Sequence, residues 1–288
     1  MYKIVRKEVL NPNVIRMSIE APFIAKKGKA GQFIMFRVDE FGERVPLTIA
    51  GTNQEDGTVD IIYQIVGKST RTLAAKNEGD EILDFVGPLG KPSALEGHEK
   101  ACVIGGGVGT AIAYPTAVAL HDLGSKVDVI MGFRNKDIVI LEDEFAAASD
   151  NCYMMTDDGT YGEKGFVTVK LETLLEAGTE YDLVVAIGPV PMMKAVVDIT
   201  KKYNIKTLVS LNPIMVDGTG MCGCCRVIVN NELKFACVDG PEFDGAEVDF
   251  EDLMLRNRSY IDEEREKDHE CQNELAIAAA KAEAEKEA

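Results

Sequence analysis

Between Asn212 and Gly240 the chain reads NPIMVDGTGMCGCCRVIVNNELKFACVDG, and four of its seven cysteines fall there: Cys222, Cys224, Cys225 and Cys237. Three of them crowd into a short turn rich in Gly and Met. The fourth follows RVIVNNELKFA, whose two apolar runs around an Asn-Asn pair predict a β-hairpin. A hairpin folds the chain back, so that Cys237 can meet the earlier loop. Thiols gathered in this way suit a soft metal or an iron–sulfur cluster, and whatever else the chain folds into must support that loop.

Spacing narrows the choice. Four residues separate Asp217 from Cys222, two separate Cys222 from Cys225, and eleven separate Cys225 from Cys237. With a cysteine at 217 this would be a [2Fe–2S] pattern, so the expected ligands are Asp217, Cys222, Cys225 and Cys237. Gly218, Gly220 and Gly223 permit the backbone angles of a loop wrapped round a cluster, and their amides can donate to the sulfides. Three alternatives stand beside this set: Cys224 as the fourth ligand, a structural zinc, and Asp217 as a simple turn cap.

Thiols clustered behind an N-terminus without an apolar leader point to metal chemistry in a reducing, cytoplasmic compartment and away from disulfides. Cys102, Cys152 and Cys271 stand apart and read as buried or free thiols. A formal net charge of −17 argues against nucleic acid as the main partner. Charges or glycines interrupt every apolar run before membrane-spanning length, so no membrane insertion is expected.

Residues 1–98 alternate in short runs, YKIVRKEVL, VIRMSIE, QFIMFRV, PLTIA and VDIIYQIV, separated by turns. Many short strands with frequent turns predict a small antiparallel barrel. Two segments in it carry chemistry of their own. Arg44-Val-Pro-Leu47-Thr48 opens a strand, and Gly67-Lys-Ser69-Thr70-Arg-Thr leads into a helix, where hydroxyls at a helix start suit an anion. Residues 99–211 change character. The strand Ala101–Ile104 runs into Gly105-Gly106-Gly107-Val-Gly109-Thr110 and then into a helix, and later strands KVDVIMGF, YDLVVAIG and KTLVSL alternate with helical stretches. That pattern predicts a parallel Rossmann-like sheet with a nucleotide at its C-terminal strand ends, although Thr110 stands where the third glycine of the dinucleotide fingerprint would be. The cysteine segment occupies 212–250. A charged helical tail follows over 251–288, with ELAIAAA nearly its only apolar patch, and reads as a solvated arm or a contact for a partner.

The cysteine segment, the flavin-like turn and the Gly-rich turn together resemble the electron-transfer subunits of dihydroorotate dehydrogenase. They resemble still more the small subunit of the NADH-dependent reduced ferredoxin:NADP oxidoreductase family, electron-bifurcating transhydrogenases that carry an Asp where relatives have the first Cys, as at Asp217. The resemblance spans about residues 1 to 250 and implies a β-barrel plus α/β architecture: a ferredoxin reductase-like FAD barrel, a nucleotide domain and a small [2Fe–2S] segment. It implies FAD contacts at Arg44, Leu47 and Thr48, with the Thr48 hydroxyl near the hydride-accepting nitrogen and Arg44 one residue upstream of the commonest spacing. It places pyrophosphate at Gly67, Ser69 and Thr70. The dinucleotide would lie at Gly105, Gly106, Gly107, Gly109 and Thr110, with the nicotinamide beside Gly188 and the loop Thr156–Gly162 nearby. The residues leave NAD and NADP open, and the resemblance favours NAD(H).

The function so implied is an electron-transfer subunit. Hydride from NAD(H) is converted to single electrons by FAD, which pass through the [2Fe–2S] cluster. The expected partner is a larger flavin and [4Fe–4S] subunit with an NADP(H) site, through which ferredoxin reacts. The competing readings are the electron-transfer subunit of dihydroorotate dehydrogenase or another flavoenzyme, against which Asp217 counts, and a non-catalytic zinc-stabilised interaction subunit.

Overall fold

The computed structural model describes the backbone of residues 1–287 and every side chain except those of residues 275 and 278–287. The N-terminal strands follow the period-2 pattern. They are β1 (Tyr2–Asn11), β2 (Val14–Glu20), β3 (Phe33–Arg37) after a short helix α1 (Pro22–Lys27), β4 (Val45–Asn53) and β5 (Thr58–Gln64). Helix α2 (Lys68–Ala74) then leads to β6 (Glu81–Ile82) and β7 (Asp84–Leu89). All pair antiparallel in the order β6-β1-β2-β5-β4-β3-β7. Because β6 and β7 are consecutive in the chain yet lie at opposite ends of the sheet, the sheet curls nearly to closure. Every second residue points inward, and Ile4, Met17, Ile34, Phe36, Ile61, Tyr63 and Phe85 fill the barrel.

The second sheet is parallel. Its strands are β8 (Lys100–Gly106), β9 (Lys126–Phe133), β10 (Asn151–Thr156), β11 (Glu163–Lys164), β12 (Leu183–Ile187) and β13 (Thr207–Ser210). They are joined by α3 (Gly109–Asp122), α4 (Glu142–Ala147), α5 (Val167–Glu176) and α6 (Val190–Thr200). The strand order β11-β10-β9-β8-β12-β13 reverses direction between β8 and β12, which makes a switch-point crevice beyond their C-terminal ends. Apart from Lys100 at the start of β8, both strands are apolar and buried on both faces, as parallel strands covered by helices must be.

After β13 the chain leaves the sheet and forms the hairpin β14 (Arg226–Val229) and β15 (Glu232–Phe235). Asn230 and Asn231 turn it with φ of 51° and 58°, the left-handed pair such a two-residue turn requires. A single helical turn α7 (Ala236–Asp239) follows, and then β16 (Glu242–Asp244) rejoins the α/β sheet antiparallel to β13. The excursion from 212 to 241 is closed at its neck, where Ser210 pairs with Glu242 and the Leu211 amide donates to the Pro241 carbonyl at 2.9 Å. Two helices close the chain, α8 (Phe250–Arg256), capped by Asp249, and α9 (Ile261–Glu287). The tail is therefore helical. Part of its apolar patch, at residues 275 and 278–280, lies outside the described side chains.

Two apolar clusters cross between the sheets. Val14, Ala50 and Ile62 of the barrel pack with Ala111, Ala113 and Ile187 of the α/β unit. Phe33 and Met35, on the outer face of the barrel, share a cluster with Ile104, Ala186, Cys225, Val227 and Cys237. The ion pair Arg16–Glu144, at 3.0 Å, also spans the seam. Among the described residues no helix is long and apolar enough to cross a membrane.

Candidate functional site

The cysteine loop is built against the outer face of the barrel. Gly218 has φ of +81°, and a β-carbon there would stand 2.7 Å from Met35 Cγ and 2.9 Å from Leu89 Cδ1, so only glycine allows the loop to press on β3 and β7. Gly220 and Gly223 also have positive φ. The hairpin does what its sequence predicts. The Ala236 amide donates to the Cys225 carbonyl, and the Cys225 and Cys237 sulfurs lie 3.2 Å apart, both buried. The Cys237 amide donates to Cys225 Sγ at 3.4 Å. Burial, followed by the Cys225 contact, pushes the Cys237 thiol up to about 12.

Asp217 lies across the same loop. Its Oδ1 accepts the Thr219 amide at 2.8 Å and the Thr219 hydroxyl, and its Oδ2 accepts the Cys222 amide at 2.9 Å. The Thr219 hydroxyl above all, together with the Cys222 amide, holds its carboxyl well below the usual carboxylate range. Cys222 and Cys224 are exposed, and the Cys224 amide donates to Cys222 Sγ at 3.5 Å. The contact with Cys222 raises the Cys224 thiol. Among the described residues no three acidic, His or Cys side chains stand in a closed metal-holding arrangement. The four expected ligands instead form two half-sites, the buried sulfur pair Cys225–Cys237 and the pair of half-buried Asp217 with exposed Cys222. Three thiols and one carboxylate, with the Cys224 and Cys237 amides directed at sulfur, form a donor set that fits a thiolate-held iron–sulfur group.

Of the two barrel segments, the one at 44–48 reaches this loop, through Arg44. Thr48 pairs with Phe33 and so shares its face, toward the α/β unit and the cysteines. Leu47 pairs with Ile34 and packs half-buried on the barrel interior, so the adjacent residues of the expected flavin pair face opposite sides of β4. Arg44 is exposed and lines a cavity of about 510 Å³ together with Met35, Asp84, Asp217 and Cys222. None of the residues at 67–72 lines that cavity. At the other segment Gly67 is the extended residue before α2, whose helix starts at Lys68, so Ser69 and Thr70 stand within its first turn. The Thr70 hydroxyl accepts the Val66 and Gly67 amides at 3.0 and 3.1 Å and thereby ties down the helix start.

The glycine turn sits at the switch point. A β-carbon on Gly109 would lie 2.6 Å from Gly188 Cα, and one on Gly188 would lie 3.1 Å from the Gly106 carbonyl, so Gly106, Gly109 and Gly188 meet across β8 and β12. Gly107, with φ of +57°, has open space before it. The Thr110 hydroxyl is buried without a partner, and a β-carbon on Gly105 would run into Thr110. This packing fits a dinucleotide crevice of the doubly wound kind. The loop 156–162 is held internally by Thr156 and Tyr161, and the Tyr161 hydroxyl donates to Glu142 at 2.8 Å. Sequence reasoning did not find Met35, Val86 and Leu89, the barrel residues beside the cysteine loop. The local signal for Met35 is the outward phase of QFIMFRV, and for Val86 the outward phase of DFVGPL.

Comparison with known proteins agrees with this layout. Residues 212–249 match the model of the iron–sulfur cluster binding domain of dihydroorotate dehydrogenase B. A Thermotoga maritima homolog of the dihydroorotate dehydrogenase B (NAD(+)) electron transfer subunit is 45% identical over 263 residues, covering 91% of this chain and 93% of its own. A Clostridium beijerinckii protein known by its position in an adh 3' region is 52% identical over 272 residues, covering 92% of each. Among solved structures, a chain of the NADH-dependent reduced ferredoxin-NADP oxidoreductase, determined for insight into flavin-based electron bifurcation, superposes with a TM-score of 0.89. It is 42% identical, and the match covers 96% of this chain and 98% of that one. The barrel, the switch-point sheet and the cysteine excursion are thus shared along nearly the whole length, and the chain belongs to the family of dihydroorotate dehydrogenase B-type electron-transfer subunits, ferredoxin reductase-like proteins that end in an iron–sulfur-binding segment.

Proposed function

We propose that this chain is the electron-transfer subunit of an NADH-dependent ferredoxin:NADP oxidoreductase, exchanging a hydride with NAD(H) and single electrons with a larger partner. One observation carries the reading: the buried Cys225–Cys237 pair, Phe33 and Met35 of the barrel, and Ile104 and Ala186 beside the glycine turn belong to one continuous apolar cluster. Three sites that must exchange electrons are thereby held by one rigid packing unit. FAD supplies the conversion between two-electron and one-electron chemistry, NAD(H) the hydride, and a [2Fe–2S] cluster the one-electron outlet.

The residues divide the work. Asp217, Cys222, Cys225 and Cys237 hold the cluster. Asp217 orders the loop through Thr219 and the Cys222 amide, and the apolar packing round Cys225 and Cys237 keeps water from that side. Thr48 presents its hydroxyl on the face shared with Phe33, where the flavin ring is held, while Leu47 fixes the strand from inside the barrel. Arg44, beside Asp217 and Cys222, puts a cation at the flavin and cluster end of the barrel. Gly67, Ser69 and Thr70 receive the flavin phosphates. Gly105, Gly106, Gly107, Gly109, Thr110 and Gly188 receive NAD(H), the glycines by allowing close backbone approach. Working units run over 1–98, 99–211, 212–250 and 251–288. The partner is a larger flavin and [4Fe–4S] subunit in the cytoplasm that bears the NADP(H) site and reacts with ferredoxin. Names among the relatives favour dihydroorotate dehydrogenase as the second reading, and Asp217 in the first ligand position weighs against it.

The test is the visible spectrum and metal content of anaerobically purified protein before and after NADH. Flavin bands, iron at the level of one [2Fe–2S] cluster per chain and bleaching by NADH are expected. A colourless, zinc-bearing protein overturns the reading, and a response to NADPH alone overturns the nicotinamide assignment.

A further inference from the structure

Helix α9 reaches back across the molecule to α2. Arg71 donates to both carboxylate oxygens of Asp268, from Nε at 2.6 Å and from Nη2 at 3.2 Å, across 197 residues of sequence. Both side chains are mostly shielded, 28% and 19% exposed. Asp268 is further fixed by Gln272 Nε2 at 2.6 Å, and Cys271, on the same side of the helix, is buried. Glu270, the next acidic residue along α9, is held by Lys267 of its own helix at 2.7 Å, so Arg71–Asp268 is the ion pair that joins the two helices among the described residues. The rest of α2 is tied to its own barrel. Lys7 Nζ donates to the Ala74 and Lys76 carbonyls at 2.7 Å each, and Thr70 holds the helix start. Its flank alone depends on a distant segment.

We infer that α9 is a strap for the flavin-binding segment, and that Asp268, through Arg71, is a positioning residue that holds Gly67, Ser69 and Thr70 ready for the flavin phosphates. The inference rests on the flavin reading of that segment. A helix this short is not stable by itself and draws its order from what packs on it. A segment ordered before the ligand arrives has less conformational freedom to lose on binding, so the strap tightens flavin binding without touching flavin. The electrostatic effect of Asp268 has the opposite sign. Its charge offsets Arg71, so relaxed positioning and an unmasked cation predict opposite changes when Asp268 is neutralised.

The test is FAD binding to the deflavinated full-length protein, read by flavin fluorescence, in the wild type, D268N, R71Q and the doubly substituted chain, with hydrogen exchange of residues 68–75 measured before FAD is added. D268N and R71Q are each expected to weaken FAD binding about twofold to fivefold, the scale of a well-formed, partly shielded ion pair, and to speed exchange in α2. The double variant is expected to be no worse than either single one, because both remove the same contact. The charge-swapped pair R71D with D268R is expected to recover part of the affinity. Unchanged binding in both single variants overturns the strap. Tighter binding in D268N with weaker binding in R71Q overturns it as well, in favour of Arg71 as a direct phosphate partner. Wild-type protein that takes up no FAD at all removes the flavin reading itself, a result distinct from either.

Discussion

A carboxylate sealed from water without a full set of donors raises the energy of its charged form, and Glu242 stands in that position, its burial offset only in part by the Ser93 hydroxyl. Both of its oxygens are buried, at a junction where the loop before β3, the linker after β7 and β16 meet. Its neighbours there are Ser93 and the backbone of Gly31, while Lys29 and Lys91 of the same segments are exposed. Burial pushes its carboxyl up to about 6 from an ordinary 4.5. The folded chain therefore binds this proton more tightly than the unfolded chain does. The contribution of Glu242 is most favourable below about pH 4.5 and is lost as pH rises through 6. The loss amounts to about 2 kcal/mol by linkage. Glu242→Gln keeps the shape without the charge. We expect it to raise the denaturation midpoint at pH 7.5 and to leave it nearly unchanged at pH 4.5, as read by chemical unfolding at both pH values. A variant no more stable at pH 7.5 than the wild type would count against a buried, strained carboxylate. Nothing local in GPEFD signals this burial, because the groups that seal Glu242 come from around residues 31 and 93.

At the scale of elements, the cysteine loop and its hairpin separate the proposed ligands from Cys224. Cys225 and Cys237 converge only because β14 and β15 pair in register, whereas Cys224 is turned out to solvent. Cys225→Ser and Cys237→Ser are expected to lose most of the iron, and Cys224→Ser to keep it. Asp217→Cys is expected to keep iron while shifting the reduction potential, since a thiolate donates more charge than a carboxylate. Iron assay and redox-titrated electron paramagnetic resonance decide the matter. Equal iron loss in Cys224→Ser would move the fourth ligand there. Much of this element was legible in advance. The Asn-Asn turn, the period-2 runs and the glycine-rich strand-to-helix turn are local patterns, and local backbone preferences enforce them. The opposite facing of Leu47 and Thr48 follows from strand alternation alone. The position of Arg44 beside Asp217 and the return of β16 to the sheet were not legible, since each depends on contacts between segments far apart in sequence.

At the scale of the molecule, the barrel and the α/β sheet are not independent bodies. Two apolar clusters and the Arg16–Glu144 pair run across their seam, and the cysteine excursion belongs to one of those clusters. Separating the parts would expose Phe33, Met35, Val14 and Ile62 to water, at a cost of about 1.5–3 kcal/mol for each large side chain. Thermal unfolding of the deflavinated protein is accordingly expected as one cooperative transition, coincident by near-UV circular dichroism and calorimetry. Two well-separated transitions would show that the seam couples the halves only weakly. The neck of the excursion bears on how such a protein can change. Its two ends are already neighbours, pinned by Ser210 with Glu242 and by Leu211 with Pro241, and the sheet beneath is complete at that edge. A lineage could lengthen the excursion or exchange one ligand in it, and the strands on either side would still meet. The redox character of the outlet is therefore free to drift while the barrel and the nucleotide crevice stay as they are.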